Sequence, residues 1–314
     1  IRICLVGSEM CIRDRLKMAI QKSSTKTALD LGNFESVVDE KLNSIFQRLT
    51  KNQTTIDKSI SYALSNPGKR IRPTLVFLVG DFLGIETPRL ESIAGAIELI
   101  HTYSLVHDDL PCMDDDDLRR GKPTLHKKFN ESTAVLAGDA LQTLAFNLIL
   151  DDINLNISEK HDLLSDLAKR IGPEGMVLGQ NLDIEYEKKN PSFDEIMEMN
   201  RLKTGLLIEF SILSPFYLKG DLTKDWYQLA KNIGISFQLI DDILDLSETT
   251  EKIGKTAKKD LKNNKKTIPI CFGIDKTMIE VDKFKESTME ICKKLCLNNH
   301  PLSAFIDSLF SRKF

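Results

Sequence analysis

The chain has 314 residues, 41% apolar and 28% charged, enough to bury a full core as one large domain or two small ones. A net charge of −3 and a pI near 6.0 give no sign of a nucleic-acid partner. The 6 cysteines are scattered and form no Cys-x-x-Cys pair, which fits structural thiols in a reducing compartment better than disulfides or a zinc site.

Residues 1–24 show no sustained helical or strand pattern. Glu9 breaks the short apolar stretch a secretory signal would need, and Glu9 and Asp14 argue against a transit peptide, so this part reads as a leader or artefact without function. Residues 25–314 read as one domain. Over 31–49 apolar residues recur at 31, 34, 37, 38, 42, 45, 46 and 49, which predicts an amphipathic helix. A short helix over 56–64 ends at Asn66-Pro67-Gly68, a loop signal. Then Lys69, Arg70 and Arg72 stand at the start of an apolar helix over 74–83. Cations at a helix N-terminus make an anion site, although alone a basic surface cap is an equal reading.

A helix over 91–107 leads into Asp108, Asp109 and Asp114 to Asp117, followed by Arg119 and Arg120. Carboxylates this dense repel unless a cation sits among them, and their hard oxygens suit magnesium or calcium. The adjacent arginines suggest that the other metal ligand is a phosphate. Asp108 and Asp114 would lie on different faces of an ideal helix. Pro111 between them cannot donate the helical hydrogen bond, so a bulge there can bring Asp114 back toward Asp108. A solvated acidic turn is the plain alternative. His107-Asp108 also allows a His-Asp metal-dependent phosphohydrolase, which would need further ligands beyond His126, His161 and His300.

Helices follow over 131–150, 158–170 and 173–187, the last carrying Gly175, Gly179, Gln180 and Asp183. Small residues four apart allow close helix packing, while Gln180 and Asp183 are placed to line a cavity. A long helix over 193–218 contains Lys203-Thr204-Gly205. Glycine inside a helix costs about 1 kcal/mol, and a kink aiming Lys203 and Thr204 at a ligand would explain the exception. The helix over 225–246 bears Gln238 and ends in Asp241-Asp-x-x-Asp245, whose first and last carboxylates share a face about 6 Å apart. The polar stretch 247–264, with Lys255 and Asp260, reads as a loop, and 268–314 as amphipathic helix. Strand patterns, internal repeats and an apolar run near the roughly 20 residues of a membrane span are not found. Two acidic helix ends, each followed by basic residues, are suited to clamp a polyphosphate through metal ions.

Together these motifs resemble the trans-type isoprenyl diphosphate synthases, from about residue 31 to the C-terminus. Asp108-Asp-x-x-x-x-Asp114 with Arg119-Arg120-Gly-x-Pro-Thr is similar to the family's first aspartate-rich motif, and Asp241-Asp-x-x-Asp245 to its second. The resemblance implies an all-α fold, a single large helical bundle around a central cavity. It implies a cytoplasmic homodimer with two or three Mg2+ ions, and with isopentenyl diphosphate and allylic diphosphates as substrates. Asp108, Asp109, Asp114, Asp241 and Asp245 are the metal ligands it implies, with Asp108, Asp114, Lys203 and Asp241 as catalytic residues. Lys69, Arg72, His101 and Arg120 would hold isopentenyl diphosphate. Arg119, Lys203, Thr204, Gln238, Lys255 and Lys265 would contact the other diphosphate. Here Asn264-Lys265-Lys266-Thr267 replaces a more usual Gly-Lys-x-Thr, which leaves open which lysine acts.

Product length is expected to depend on the helix ending at Asp108. Helix geometry points to Ser104, one turn back, whereas the resemblance points to Tyr103, since an aromatic there goes with a fifteen-carbon product. The expected product is therefore farnesyl diphosphate, with geranylgeranyl diphosphate as the alternative. A class I terpene cyclase should carry an Asn/Asp-x-x-Ser/Thr-x-x-x-Glu motif in place of Asp241-Asp-x-x-Asp245. A non-catalytic synthase subunit should have lost aspartates, and none is missing.

Overall fold

The computed structural model describes residues 31–50, 53–65, 68–247 and 265–312. The leader, and the polar loop beyond Ser247 with Lys255 and Asp260, lie outside the described residues. The first helices follow from their sequences. α1 (Leu31–Leu49) has the predicted bounds, and α2 (Thr55–Leu64) opens on a capping box in which Thr54 and Asp57 satisfy each other's backbone N–H. α3 (Ile71–Leu83) begins three residues before the predicted start, so Arg72 and Pro73 belong to its first turn. A proline is tolerated there because those N–H groups have no partner within the helix.

α4 (Glu91–Asp108) is buried on almost every side and packs along α6 (Glu131–Leu150). α6 corrects one sequence expectation. By length and composition it is apolar enough to cross a bilayer, yet Ala134, Ala137, Leu141, Ala145 and Ile149 are wholly buried in the core. Close approach is possible at Gly138, where a Cβ would stand 2.0 Å from Nε2 of His107. The short α5 (Leu125–Lys128) precedes it.

α7 (Ile157–Ile171) and α8 (Met176–Tyr186) come next. The single helix expected over 193–218 is broken into α9 (Phe193–Asn200), a π-helical turn (Arg201–Gly205), α10 (Leu206–Leu213) and a 3-10 turn at Ser214–Tyr217 containing Pro215. α11 (Lys224–Ser247) ends in the second acidic motif. The C-terminal stretch, read as one amphipathic segment, is α12 (Ile268–Phe272), α13 (Ile274–Lys294) and α14 (Pro301–Phe310). Gly273, at φ 92°, and Cys296, at φ 60°, make the breaks.

Two apolar clusters form the interior. One gathers Leu42, Ile97, Leu141 and Leu163 around α4 and α6, and the other Ile212, Leu229, Ile240 and Ile306 around α11. α3 and α10 serve both, with Phe77 and Phe210 in the first and Leu78 and Ile208 in the second. Helices apolar all round must be buried, and these two join the clusters into one helical bundle. A two-residue hairpin, β1 (Leu118–Arg119) with β2 (Lys122–Pro123), corrects the expectation of no strand.

Candidate active site

α4 ends at Asp108 and the chain folds straight back. The Asp114 N–H donates to the Asp108 carbonyl at 2.8 Å, so the bulge expected at Pro111 does return Asp114 to Asp108. Asp109, expected among the metal ligands, here accepts the guanidinium of Arg119, with Nε at 3.0 Å, and Asp116 takes Nη2 of the same arginine at 3.4 Å. The hairpin explains how two adjacent arginines are aimed apart. Its two-residue loop is Arg120 at φ 53° and Gly121 at φ 77°, the pair of positive values that a type I′ turn requires. Arg119 then faces Asp109, while Arg120 lies against Gly68, where a Cβ would meet its Nη2 at 2.4 Å.

Arg120 enters a cationic cluster. Arg72 is buried, stacks 5.7 Å from the Phe237 ring, and its Nε has no hydrogen-bond partner among the described residues. Burial pulls its guanidinium down to about 10, against the pull of Glu98 and Asp241. His101 is held well below its ordinary value by burial and then by Arg72 and Arg120, so its imidazole is neutral. Arg70, by contrast, is taken up by Glu98 and by Asp39 at 2.9 Å. Lys69 is exposed. An orphaned guanidinium N–H beside further arginines is a site for an anion.

On the other side of Asp108 stand two lysines. Lys203 Nζ donates to Asp183 Oδ2 at 2.7 Å, and Lys265 Nζ to the same oxygen at 2.8 Å. Lys265 also pairs with Asp114 at 3.1 Å and Glu187 at 3.1 Å, whereas Lys266 makes no such pair among the described residues. Against the effect of burial, Asp183 and Asp108 hold Lys203 above the usual lysine range. Burial, with Asp114 adding to it, pushes the Asp108 carboxyl up to about 6.

The π-turn presents Lys203 and Thr204. Thr204 donates to Gln238 Oε1 at 2.7 Å, and Gln238 in turn donates to Asp242 at 2.6 Å. Gly179 packs against the turn so closely that a Cβ would be 2.2 Å from the Lys203 nitrogen, which gives the glycine its purpose. Gln180 is half-buried nearby on α8. In the second motif Asp241 accepts Arg312 Nη1 at 2.7 Å, and Asp245 is buried. Tyr103 is buried, with its ring 5.9 Å from that of His107. Ser104 donates to the His101 carbonyl.

Among the described residues, no group of three His, Cys, Asp or Glu side chains is gathered closely enough to hold a metal. The donor set nonetheless suits magnesium: hard carboxylate oxygens, and a buried carboxyl at Asp108 that a neighbouring carboxylate drives toward protonation. Lysine and arginine nitrogens on Asp114 and Asp241 show where positive charge is accepted. Sequence reasoning missed Glu187 and Arg312, which belong to no motif. It also passed over the pair of His161 with Asp162, exposed on α7 at 3.0 Å.

The comparisons agree with this arrangement. A farnesyl diphosphate synthase of Haemophilus influenzae is 37% identical over 289 residues, covering 90% of this chain and 98% of that protein. One from Geobacillus stearothermophilus is 43% identical over 249 residues, covering 78% and 84%. A crystal structure of a Helicobacter pylori geranyltransferase, complexed with magnesium and isoprenyl diphosphate, superposes with a TM-score of 0.76 at 30% identity, covering 88% of this chain and 98% of that one. The profile of the Polyprenyl synthetase family matches residues 53–294. This chain belongs to the polyprenyl synthetase family.

Proposed function

We propose that the protein condenses isopentenyl diphosphate with an allylic diphosphate, forming farnesyl diphosphate by head-to-tail addition. The observation that carries this is the separation of two cationic pockets by the acidic end of α4. Arg72 with its orphaned Nε, neutral His101 and Arg120 lie on one side, and Lys203 with Lys265 on the other. Two anionic substrates are thereby held apart at their diphosphates and brought together at their carbon ends, which is a contribution from proximity.

Arg72, Arg120, His101 and Lys69 bind and orient isopentenyl diphosphate. His101, being neutral, can donate one hydrogen bond without adding charge. Lys203, Lys265, Arg119 and Lys255 receive the negative charge that grows on the departing pyrophosphate, an electrostatic task. Asp108, Asp114 and Asp241, with Asp245, would hold magnesium, which supplies Lewis-acid polarisation of the diphosphate. Thr204 and Gln238 fix the edge of the pocket, and Tyr103 closes the apolar wall beneath it. Lys265, rather than Lys266, is assigned the lysine role because it is the one turned toward Asp114 and Asp183.

A homodimer is part of this proposal, since α6 leaves Val135 at 41%, Leu136 at 55% and Leu150 at 50% exposure on its outer side. Light scattering of the Leu136→Glu variant should find monomer where the parent is a dimer. The activity is tested by pyrophosphate release, which should require magnesium and both substrates together. Release from geranyl diphosphate alone at the same rate would instead indicate a cyclase or phosphohydrolase.

A further inference from the structure

The π-turn that aims Lys203 and Thr204 is bound to a charged group on its outer side. Arg201 Nε donates to Glu209 Oε1 at 3.0 Å and Nη2 to Oε2 at 3.5 Å. In a regular α-helix, positions eight apart lie about 80° past two full turns, too far round for such an end-on pair. A π-turn closes i→i+5 and takes in one residue more than an α-turn, and Leu206 N–H indeed donates to the Arg201 carbonyl. The two positions then behave as if seven apart, about 20° from alignment. The pair exists because the π-turn does, and each supports the other.

The carboxylate in this pair is fixed from a second direction. Glu209 is 6% exposed and also accepts Arg170 Nη1 at 3.0 Å, while Asp166 takes both of its own contacts from Arg170 Nε at 2.9 Å. A buried carboxylate between two guanidiniums is satisfied in one geometry, and removing either partner is costly. On the inner side the turn is confined by backbone contact: a Cβ on Gly234 would stand 2.9 Å from Gly205 Cα. If the extra residue slipped out, residues on one side of the turn would rotate by about 100° relative to the other, and Lys203 would leave Asp183.

We propose that Glu209, gripped by Arg201 and Arg170, is a latch for the π-turn and so a positioning residue for Lys203 at the allylic diphosphate. This rests on the reading of Lys203 as a ligand of that diphosphate. The test is a double-mutant cycle of Glu209→Gln and Lys203→Ala, read as Michaelis constants for geranyl diphosphate and for isopentenyl diphosphate. Arg201→Gln is the second arm, because Arg201 is only partly buried and its loss is tolerated more readily; thermal melting checks that each variant is folded.

A latch predicts that Glu209→Gln and Arg201→Gln each raise the geranyl diphosphate constant by roughly tenfold, the scale of coupling between neighbours. The isopentenyl diphosphate constant should stay within about twofold, and neither substitution should add anything in the Lys203→Ala background. Additive effects, or equal rises in both constants, would overturn the latch while leaving Lys203 in its role. An unchanged geranyl diphosphate constant in Lys203→Ala alone would overturn the reading of Lys203 and the latch with it.

Discussion

Replacing Tyr103 with alanine separates a wall that limits product length from ordinary core packing. Tyr103 lies five residues before Asp108, about 7.5 Å down the axis at 1.5 Å per residue, where a growing chain anchored at the acidic end would arrive. The side chain is 7% exposed and meets the His107 ring edge-on at 5.9 Å. Burial, and then Asp108, raises its hydroxyl to about 12, so it stays neutral at any working pH. Truncating a buried aromatic costs about 3–5 kcal/mol, a large share of a typical stability of 5–15 kcal/mol. The variant should therefore be assayed well below its melting point, with Tyr103→Phe as a control that keeps the ring. Products from geranyl diphosphate and isopentenyl diphosphate are then sized by chromatography. A wall predicts twenty-carbon or longer products from Tyr103→Ala and fifteen-carbon product from Tyr103→Phe. A folded, active Tyr103→Ala enzyme that still stops at fifteen carbons would refute the reasoning.

Other expectations follow from the two pockets and the turn. Arg72→Ala should raise mainly the isopentenyl diphosphate constant and Lys203→Ala mainly the allylic one, each by the about 1.5–3 kcal/mol of a charge-assisted contact; a shared effect on one constant would merge the two pockets. Asp108 has its carboxyl raised from 3.8 to about 6, so between those values the folded protein keeps a proton that the unfolded chain has lost. Its stabilising contribution is full below the lower value and is lost as pH rises through the upper one. Metal-free Asp108→Asn should thus lose less melting temperature than the parent between about pH 4 and pH 7, and a steeper loss in the variant would contradict the burial. Gly179→Ala gains about 1 kcal/mol of helix propensity but forces a Cβ into the Lys203 backbone, an overpacking cost of about 1–3 kcal/mol. Its melting temperature should fall and its allylic constant rise; a more stable variant with parental kinetics would mean that the turn does not rest on Gly179.

The local signals in the sequence were read well where side-chain period and caps agree. α1 begins and ends where its apolar positions do, and Pro111 announced the bulge that returns Asp114 to Asp108. Lys203-Thr204-Gly205 announced a kink, but not that the kink is a π-turn, because that depends on Gly179, Gly234 and Glu209 from outside the motif. The hairpin at Arg119 and Arg120 escaped notice since strands of two residues have no period to read. Arg312 reaches Asp241 across 71 residues and Lys265 reaches Asp183 across 82, and neither pairing leaves a mark in the neighbouring sequence. The C-terminal stretch looked continuous because amphipathic spacing resumes after Gly273, whose positive φ only the fold reveals.

The most direct test of the proposed condensation is to incubate the purified protein with magnesium, isopentenyl diphosphate and, separately, dimethylallyl or geranyl diphosphate, and to size the products. The account predicts farnesyl diphosphate from either allylic substrate, with one pyrophosphate released for each bond formed and none in chelator. Product formed in full when chelator has removed the metal, or a hydrocarbon made without consuming isopentenyl diphosphate, would contradict it.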